Sequence, residues 1–418
     1  MLAVTVLGSS ATMLAATSVN LALPSLAADL GADSSQQQWV VNAYLLAMAS
    51  FILLGGSLGD HYGRVAVYRH SRRRPGVGCR CLVRAGCGRP RHRPRDRGLL
   101  VTMSRRLVYV VNIFLVVAVA VFSSRVPETR DPRARGEPID FSGAAATVVL
   151  LGCSSYLLIN ASDLAFGVRE YAVLAAVVVA AAAAAAAVVL WHIEPNRPHA
   201  MVPLDLFADR RFVAANVVTL LLYAGLGLMF FLVSLQLQVS AGWSAFTAGL
   251  ALVPVMVILL VLSPTAGSLA ARYEPRWLLT FGSLLMAVGL AMLSSIDGDS
   301  MYLSDVLGPV SVAGLGLVAV VAPVTSAALD SVPATRAGAA SAANNAVART
   351  GLLFAVAAVP LVVGLSGDAL LIPEELTAGY RPAMLIAAAL TALAGLAAAV
   401  LIRPVIVTPD AIGAELRP

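Results

Sequence analysis

Eleven apolar stretches, each approaching or exceeding the length of a membrane crossing, restrict this chain to a single class of fold. They run near residues 2–24, 39–58, 107–124, 141–160, 171–192, 212–238, 247–271, 277–296, 303–328, 340–365 and 382–402. A helix needs roughly 20 residues to cross about 30 Å of hydrocarbon, and it satisfies its own backbone polar groups in doing so. Composition agrees, because 59% of the chain is hydrophobic and only 12% is charged, about half the charged fraction of a soluble protein. A soluble enzyme, a secreted protein, a disordered chain and a fibrous one are thereby excluded. The expectation is an all-α polytopic membrane protein with 11 transmembrane helices. The first stretch flows into Asn20 and Pro24 without a small-residue cleavage site, so it reads as a retained span rather than a signal peptide. Cys79, Cys81, Cys87 and Cys153 are too few and too scattered for a disulfide framework, which suits a protein of the inner (plasma) membrane.

Charge then orients the loops. The net charge is +6, and all 29 basic residues are Arg, with 14 of them between Arg64 and Arg106. The excess is local, so no nucleic-acid partner is implied. Cytoplasmic loops collect basic residues. On that rule Leu26 to Gln38, with Asp29 and Asp33, lies outside and the Arg-rich stretch inside. From Arg197 onward the alternation is regular: Arg197, Arg210 and Arg211 inside, the uncharged 239–246 outside, Arg272 and Arg276 inside, Asp297 and Asp299 outside, Arg336 inside, Asp368, Glu374 and Glu375 outside, Arg403 inside. The two parts disagree at one place. A single span, 107–124, separates the basic stretch ending at Arg106 from a second basic loop holding Arg125, Arg130, Arg133 and Arg135. Either an odd number of spans is missing between Arg64 and Leu107, or one basic loop is forced outside.

Between Arg69 and Arg106 the composition shifts abruptly from Ala, Leu and Val to Arg, Gly, Pro and Cys, and no helix or strand periodicity survives. Three readings are open. Cys79, Cys81, Cys87 and His92 are zinc-ligand types, although their spacing matches no paired arrangement. A basic arm against anionic headgroups is worth about 1 kcal/mol per Arg near the surface. The third reading is out-of-frame translation with a deletion, since Arg, Gly, Pro and Cys codons arise from another frame of a GC-rich, Ala-rich gene, and the chain has no Lys. The chain therefore divides into 1–68 with two spans and a loop motif, 69–106, 107–140 with one span and a loop, 141–211 with two linker spans, and 212–418 with a six-span bundle and tail.

The loop motif is Gly56-Ser57-Leu58-Gly59-Asp60-His61-Tyr62-Gly63-Arg64, at the inner end of the second span. Gly56 and Gly59 permit close backbone approach, Gly63 a positive φ, and Asp60 can cap a helix or pair with Arg64. A weaker copy, Gly267-Ser268-Leu269-Ala270-Ala271-Arg272-Tyr273-Glu274-Pro275-Arg276, again closes a span. Repeats in corresponding places of two halves are how many secondary transporters are built.

On these residues the chain resembles the major facilitator superfamily, and within it the 14-span drug:proton antiporters. Thr17 to Pro24 is similar to that subfamily's first-helix signature, and Gln38-Trp39-Val40 through Tyr44 to the start of its second helix. Leu235 to Gln238, Gly249 to Pro254, Gly314 through Pro323 and Gly338 to Asn345 add to the likeness. The resemblance implies helical bundles around a central cavity, a small amphipathic substrate, and protons as the driving ion. It also implies three spans, the third to fifth, that have no counterpart here, so the first bundle is incomplete. The first-helix Asp usual in the subfamily corresponds to Ala15, and no Asp or Glu lies deep in any expected span.

Candidate cavity-lining residues are Asn20, Asn42, Tyr44, Asn216, Gln236 and Gln238, with Asn112 and Tyr223 beside them. The competing role for membrane Asn is an interhelical hydrogen bond, and for the tyrosines packing. Gln236 and Gln238 are two apart, so at most one faces a pathway. All five His are in loops, and no metal, cofactor, nucleophile or phosphate-loop pattern stands in a fitting context. The expected function is secondary transport, drug or small-molecule efflux by proton antiport, impaired in this chain. The alternative is a non-transporting membrane remnant or scaffold.

Overall fold

The computed structural model describes residues 36–48, 141–160, 204–332, 337–365 and 369–402. Those residues are helical throughout their regular structure, with no strand among them. Helix α1 covers 36–48 and α2 covers Phe141–Ile159. Six further helices, each long and apolar enough to cross a membrane, follow in order: α3 (Arg210–Leu228), α4 (Ala245–Arg272), α5 (Pro275–Leu293), α6 (Leu307–Leu329), α7 (Ala337–Val362) and α8 (Pro373–Leu401). The expected spans 2–24, 107–124 and 171–192 lie outside the described residues.

Local chemistry sets the helix ends. The Asp209 carboxylate accepts from the Arg211 N–H at 2.7 Å and starts α3. The Ser244 hydroxyl accepts from the Thr247 N–H at 3.2 Å and starts α4 after Gly242 has taken φ 66°. Both fill donors that the first helical turn leaves unpaired. Pro275 and Pro373 stand at the opening positions of α5 and α8, where a missing N–H costs nothing. After α7 the chain turns at Gly364, φ 80°, and the Leu365 N–H returns to the Pro360 carbonyl at 2.8 Å. Two π turns interrupt the regularity, Met229–Val233, which carries α3 on through Ser234–Val239, and Tyr302–Val306, which leads into α6.

Most boundaries lie within about three residues of those read from the sequence. The exception is α8, which starts at Pro373 where the apolar run starts at 382. Glu374 and Glu375 occupy its first turn, where carboxylates suit the positive end of the helix dipole. Pro382 is absorbed inside the helix rather than beginning it.

The packing is two-fold repetitive. α5 packs on α6 and α8, α3 on α7 and α8, α4 on α6, and α3 touches α6. Exchanging α3, α4, α5 for α6, α7, α8 maps this set of contacts onto itself, as a three-plus-three repeat requires. Small residues allow the close crossings. A Cβ on Gly351 would stand 2.5 Å from the Leu220 carbonyl oxygen, so α7 presses directly on the α3 backbone. The core runs along α3, α5 and α6, where Leu222, Leu228, Leu290, Leu293, Val310 and Val320 are fully buried. α1 joins it through Val41 and Leu45, and meets α2 where Trp39 lies 6.1 Å from Tyr156 and Leu46 faces Gly152.

Candidate functional site

Polar side chains in this bundle fall into two groups, those consumed in fastening helices and those left without partners. Asn216 belongs to the first. Its amide donates to the Phe212 carbonyl at 2.8 Å, and its carbonyl oxygen accepts from Asn344 of α7 at 3.2 Å. Asn344 also donates to the Thr219 hydroxyl at 2.9 Å, so three buried polar residues bind α3 to α7. Gln236 is likewise consumed. Its amide donates to the Ile296 carbonyl at 3.2 Å and the Thr377 hydroxyl at 3.1 Å, while its oxygen accepts from Ser240 at 3.2 Å. That residue ties the end of α3 to the loop after α5 and to α8. Gln238 is half-buried and turns back to Ser234 of its own helix. Tyr380 is fully buried and donates from Oη to the Leu293 carbonyl at 2.9 Å, which also accepts from the Ile296 N–H at 3.2 Å just past the end of α5.

The second group lies on α1 and α7, with Arg276 Nε and Ser283 Oγ of α5 besides. Gln37, Gln38 and Asn42 are buried on α1, and both amide atoms of Gln37 and Asn42 and the Oε1 of Gln38 have no hydrogen-bond partner. Tyr44 is half-buried at the edge of the same face. It lies in the field of Arg349 of α7, which also acts on Tyr223 of α3. Arg349 is half-buried, and its Nε is sealed from solvent without a partner. Tyr44 and Tyr223, far apart in the chain, both pack against the main hydrophobic core. Arg349 was not among the residues singled out from the sequence. Its signal was legible as the lone ionisable side chain in the middle of the apolar run 340–365, but attention to carboxylates passed over it.

The loop motif Gly56, Leu58, Asp60, Gly63 and Arg64 lies outside the described residues, as does Asn20. Its copy is described. α4 ends at Arg272, Tyr273 donates its N–H to the Leu269 carbonyl at 2.9 Å, and α5 begins at Pro275. The Arg276 guanidinium lies 5.2 Å over the Trp277 ring, a cation–π contact. Gly267 has open space where a Cβ would stand. Near the opposite end of α4, a cavity of about 880 Å³ opens between α4 and α6, lined by Trp243, Leu250, Pro254, Val257, Tyr302 and Ser311. Its walls are mostly apolar, and none of these residues carries a formal charge. Among the described residues no three His, Cys, Asp or Glu side chains are grouped to hold a metal, and Cys153 is a free thiol.

Comparison with known proteins matches this architecture. The family model of the Major Facilitator Superfamily aligns with residues 5–70, 98–356 and 215–416. Residues 215–356 fall in two of these matches, as an internally repeated bundle would give. The chain is 26% identical to the multidrug resistance protein Stp of Mycobacterium tuberculosis over 373 residues, covering 77% of this chain and 68% of that protein. It is 27% identical to the cephamycin export protein CmcT of Amycolatopsis lactamdurans over 421 residues, covering 87% and 84%. Against the multidrug export protein EmrB of Haemophilus influenzae the identity is 25% over 385 residues, covering 80% and 74%. With a family match over most of its length and a repeated six-helix membrane bundle beneath it, the chain belongs to the Major Facilitator Superfamily, a family of membrane transporters.

Proposed function

We propose that this chain is a secondary transporter of the inner membrane that exports amphipathic, drug-like small molecules by alternating access, with protons as the counter-ion. The observation that carries this reading is the polar seam between α1 and the bundle. Five amide atoms on α1 and the Nε of Arg349 are buried without hydrogen bonds in a molecule otherwise built of apolar helices. Such groups are expensive in a membrane protein and are retained where they meet a substrate, an ion or water. The names of the relatives, two multidrug proteins and a cephamycin exporter, support a small-molecule cargo. Proton coupling comes from the subfamily resemblance. Among the described residues, Asp305, Glu374 and Glu375 stand in first turns rather than at mid-helix.

Export by this chain is weak on this reading, because the first bundle lacks the third to fifth spans. The family match stops at residue 70 and resumes at 98. The alignment with CmcT runs over 421 positions, more than this chain possesses, so that protein has residues without counterparts here. The same gap favours the second reading, a membrane remnant that folds but does not transport. Dye efflux from cells expressing this chain, beside a version with three spans restored after Arg64, decides between them. The restored version should clear dye in a way that an uncoupler abolishes, and this chain should clear much less. Absence of efflux by the restored version would overturn the export reading, and equal efflux by both would overturn the impairment.

A further inference from the structure

α4 and α6 touch at one crossing and part toward the Trp243 end. A Cβ on Gly314 of α6 would stand 3.2 Å from Val255 Cα and 3.3 Å from Ile258 Cδ1, whereas Gly308, nearer Tyr302, has open space where its Cβ would be. Val255 stands 10 residues after Ala245, about 15 Å along α4, half of the roughly 30 Å of hydrocarbon. The cavity of about 880 Å³ occupies this outer part of the gap, and the Trp243 and Tyr302 rings in its lining lie 6.4 Å apart at 62° to each other. The repeat-related pair, α3 and α7, is drawn together by Asn344 and Gly351. The gap is therefore a property of this helix pair and not a demand of the fold.

The lining defines the guest. None of its residues is charged, so an ion there would give up hydration that the walls do not replace. Its deeper polar atoms are acceptors. Ser311 spends its O–H on the Leu307 carbonyl at 2.6 Å and Thr247 spends its own on the Ser244 carbonyl at 2.9 Å, which leaves oxygen lone pairs. Pro254 has no N–H for the Leu250 carbonyl one turn earlier. Asp305, in the same π turn as Tyr302, is engaged by the Met301 N–H at 2.7 Å.

We infer that the cavity between α4 and α6 binds an uncharged aromatic compound that carries an O–H or N–H donor. Its rings pack edge-to-face or offset on Trp243 and Tyr302, and the volume is that of pockets holding drug-sized ligands. Lipid tails offer such a donor no acceptor, whereas the wall does, so the compound is drawn from the bilayer by a hydrogen bond as well as by fit. As a statement about substrate class, this rests on the export reading above, whereas the binding step does not.

The test uses the full chain in lipid nanodiscs, with empty discs as background and energy transfer from tryptophan to pyrene as the readout. The probes are 1-pyrenemethanol, its methyl ether, 1-pyrenesulfonate and (1-pyrenylmethyl)trimethylammonium, compared at equal membrane-bound concentration. The alcohol should bind saturably, about 2- to 12-fold more tightly than the ether, the worth of one hydrogen bond. Both ions should bind at least about 10-fold more weakly than the alcohol. Val257→Phe, at a half-exposed position in the lining, should abolish saturable binding, and Val288→Phe, equally exposed on α5 outside the cavity, should leave it intact. Pro254→Ala supplies an N–H to the Leu250 carbonyl and Ser311→Ala removes an acceptor, so each should narrow the gap between alcohol and ether while ether binding persists. Either ion binding as tightly as the alcohol, or saturable binding that survives Val257→Phe, would overturn the inference. So would an alcohol preference unchanged in both Pro254→Ala and Ser311→Ala. If Val257→Phe does not reconstitute, Ser311→Phe fills the cavity from α6 and decides in its place. Saturable alcohol binding without efflux by the span-restored version sinks the export reading alone, and efflux without that binding sinks this inference alone.

Discussion

Gly316→Ala tests the claim that close helix crossing holds the bundle together. A Cβ at Gly316 of α6 would stand 2.6 Å from the Gly282 carbonyl oxygen and 2.7 Å from Met286 Cα, where ordinary contact begins at 3.4 Å. Both obstacles are α5 backbone, so no side chain can swing aside and the helices must part by close to 1 Å. A gap of that size forfeits roughly a quarter to a half of each neighbouring dispersion contact. The residues that lose it are fully or almost fully buried, Met286, Leu290, Val310, Leu317 and Val320. Overpacking costs about 1–3 kcal/mol, against a helix-propensity gain of about 1 kcal/mol for replacing Gly by Ala. The control is Gly267→Ala in α4, which is exposed with nothing within 4 Å of the new methyl, so only the propensity gain remains. In circular-dichroism melts in one detergent, a unit of roughly 200 residues shifts about 2–4 °C per kcal/mol. Gly316→Ala should melt several degrees lower and Gly267→Ala at or above the native chain. A Gly316→Ala protein as stable as the native one would refute the argument.

Further outcomes follow from the same structure. Asp299 and Glu274 are both exposed and sit in the loops at opposite ends of α5. In a background without native cysteines, a membrane-impermeant thiol reagent added outside should label Asp299→Cys and spare Glu274→Cys, and the reverse pattern would invert the topology. Tyr380→Phe removes the bond to the Leu293 carbonyl, and Gln236→Leu removes the links to Ile296 and Thr377. Each should cost about 0.6 kcal/mol, and at most about 1.7 kcal/mol, in unfolding titrations, as interhelical bonds in membranes do, and a stabilised Gln236→Leu would show that the latch contributes nothing. Residues 69–106 should hold no metal. Stoichiometric zinc in purified protein that is lost on replacing Cys79, Cys81 and Cys87 would contradict this.

The span pattern was legible because hydropathy in a membrane chain reports one strong physical demand, burial of every backbone polar group in hydrocarbon. Helix ends were legible where a cap or a proline marks them, as at Asp209, Ser244 and Pro275, and illegible at Pro373, where two glutamates disguised a first turn as a loop. Side-chain roles were harder. Nothing in the spacing of Asn216 and Asn344, 128 residues apart, says that one amide will close on the other. The polar run Gln236 to Ser240 reads equally as pathway or fastening, and the structure draws Gln236 into a four-partner junction with Ile296, Thr377 and Ser240 completed by the Pro373 carbonyl. Arg349 lay open in the sequence, yet the sealing of its Nε from solvent without a partner is tertiary.

The repeat within the bundle makes α4 and α7 equivalent, and that equivalence separates folding from transport. α7 has α2 in direct contact beside it. Among the described residues the corresponding helix α4 has no such partner, and Leu250, Val257, Leu260 and Val261 remain 48–63% exposed along it. The core meanwhile closes on α3, α5 and α6, whose central side chains are fully buried. Rocking of one bundle against another needs contacts at both of these equivalent helices, so that closing one side opens the other. Among the described residues, the interactions that fold the bundle are in place on α3, α5 and α6, while α4 carries exposed apolar side chains where its equivalent α7 meets α2. On the export reading, loss of spans from the first bundle would therefore weaken transport before it weakened the fold.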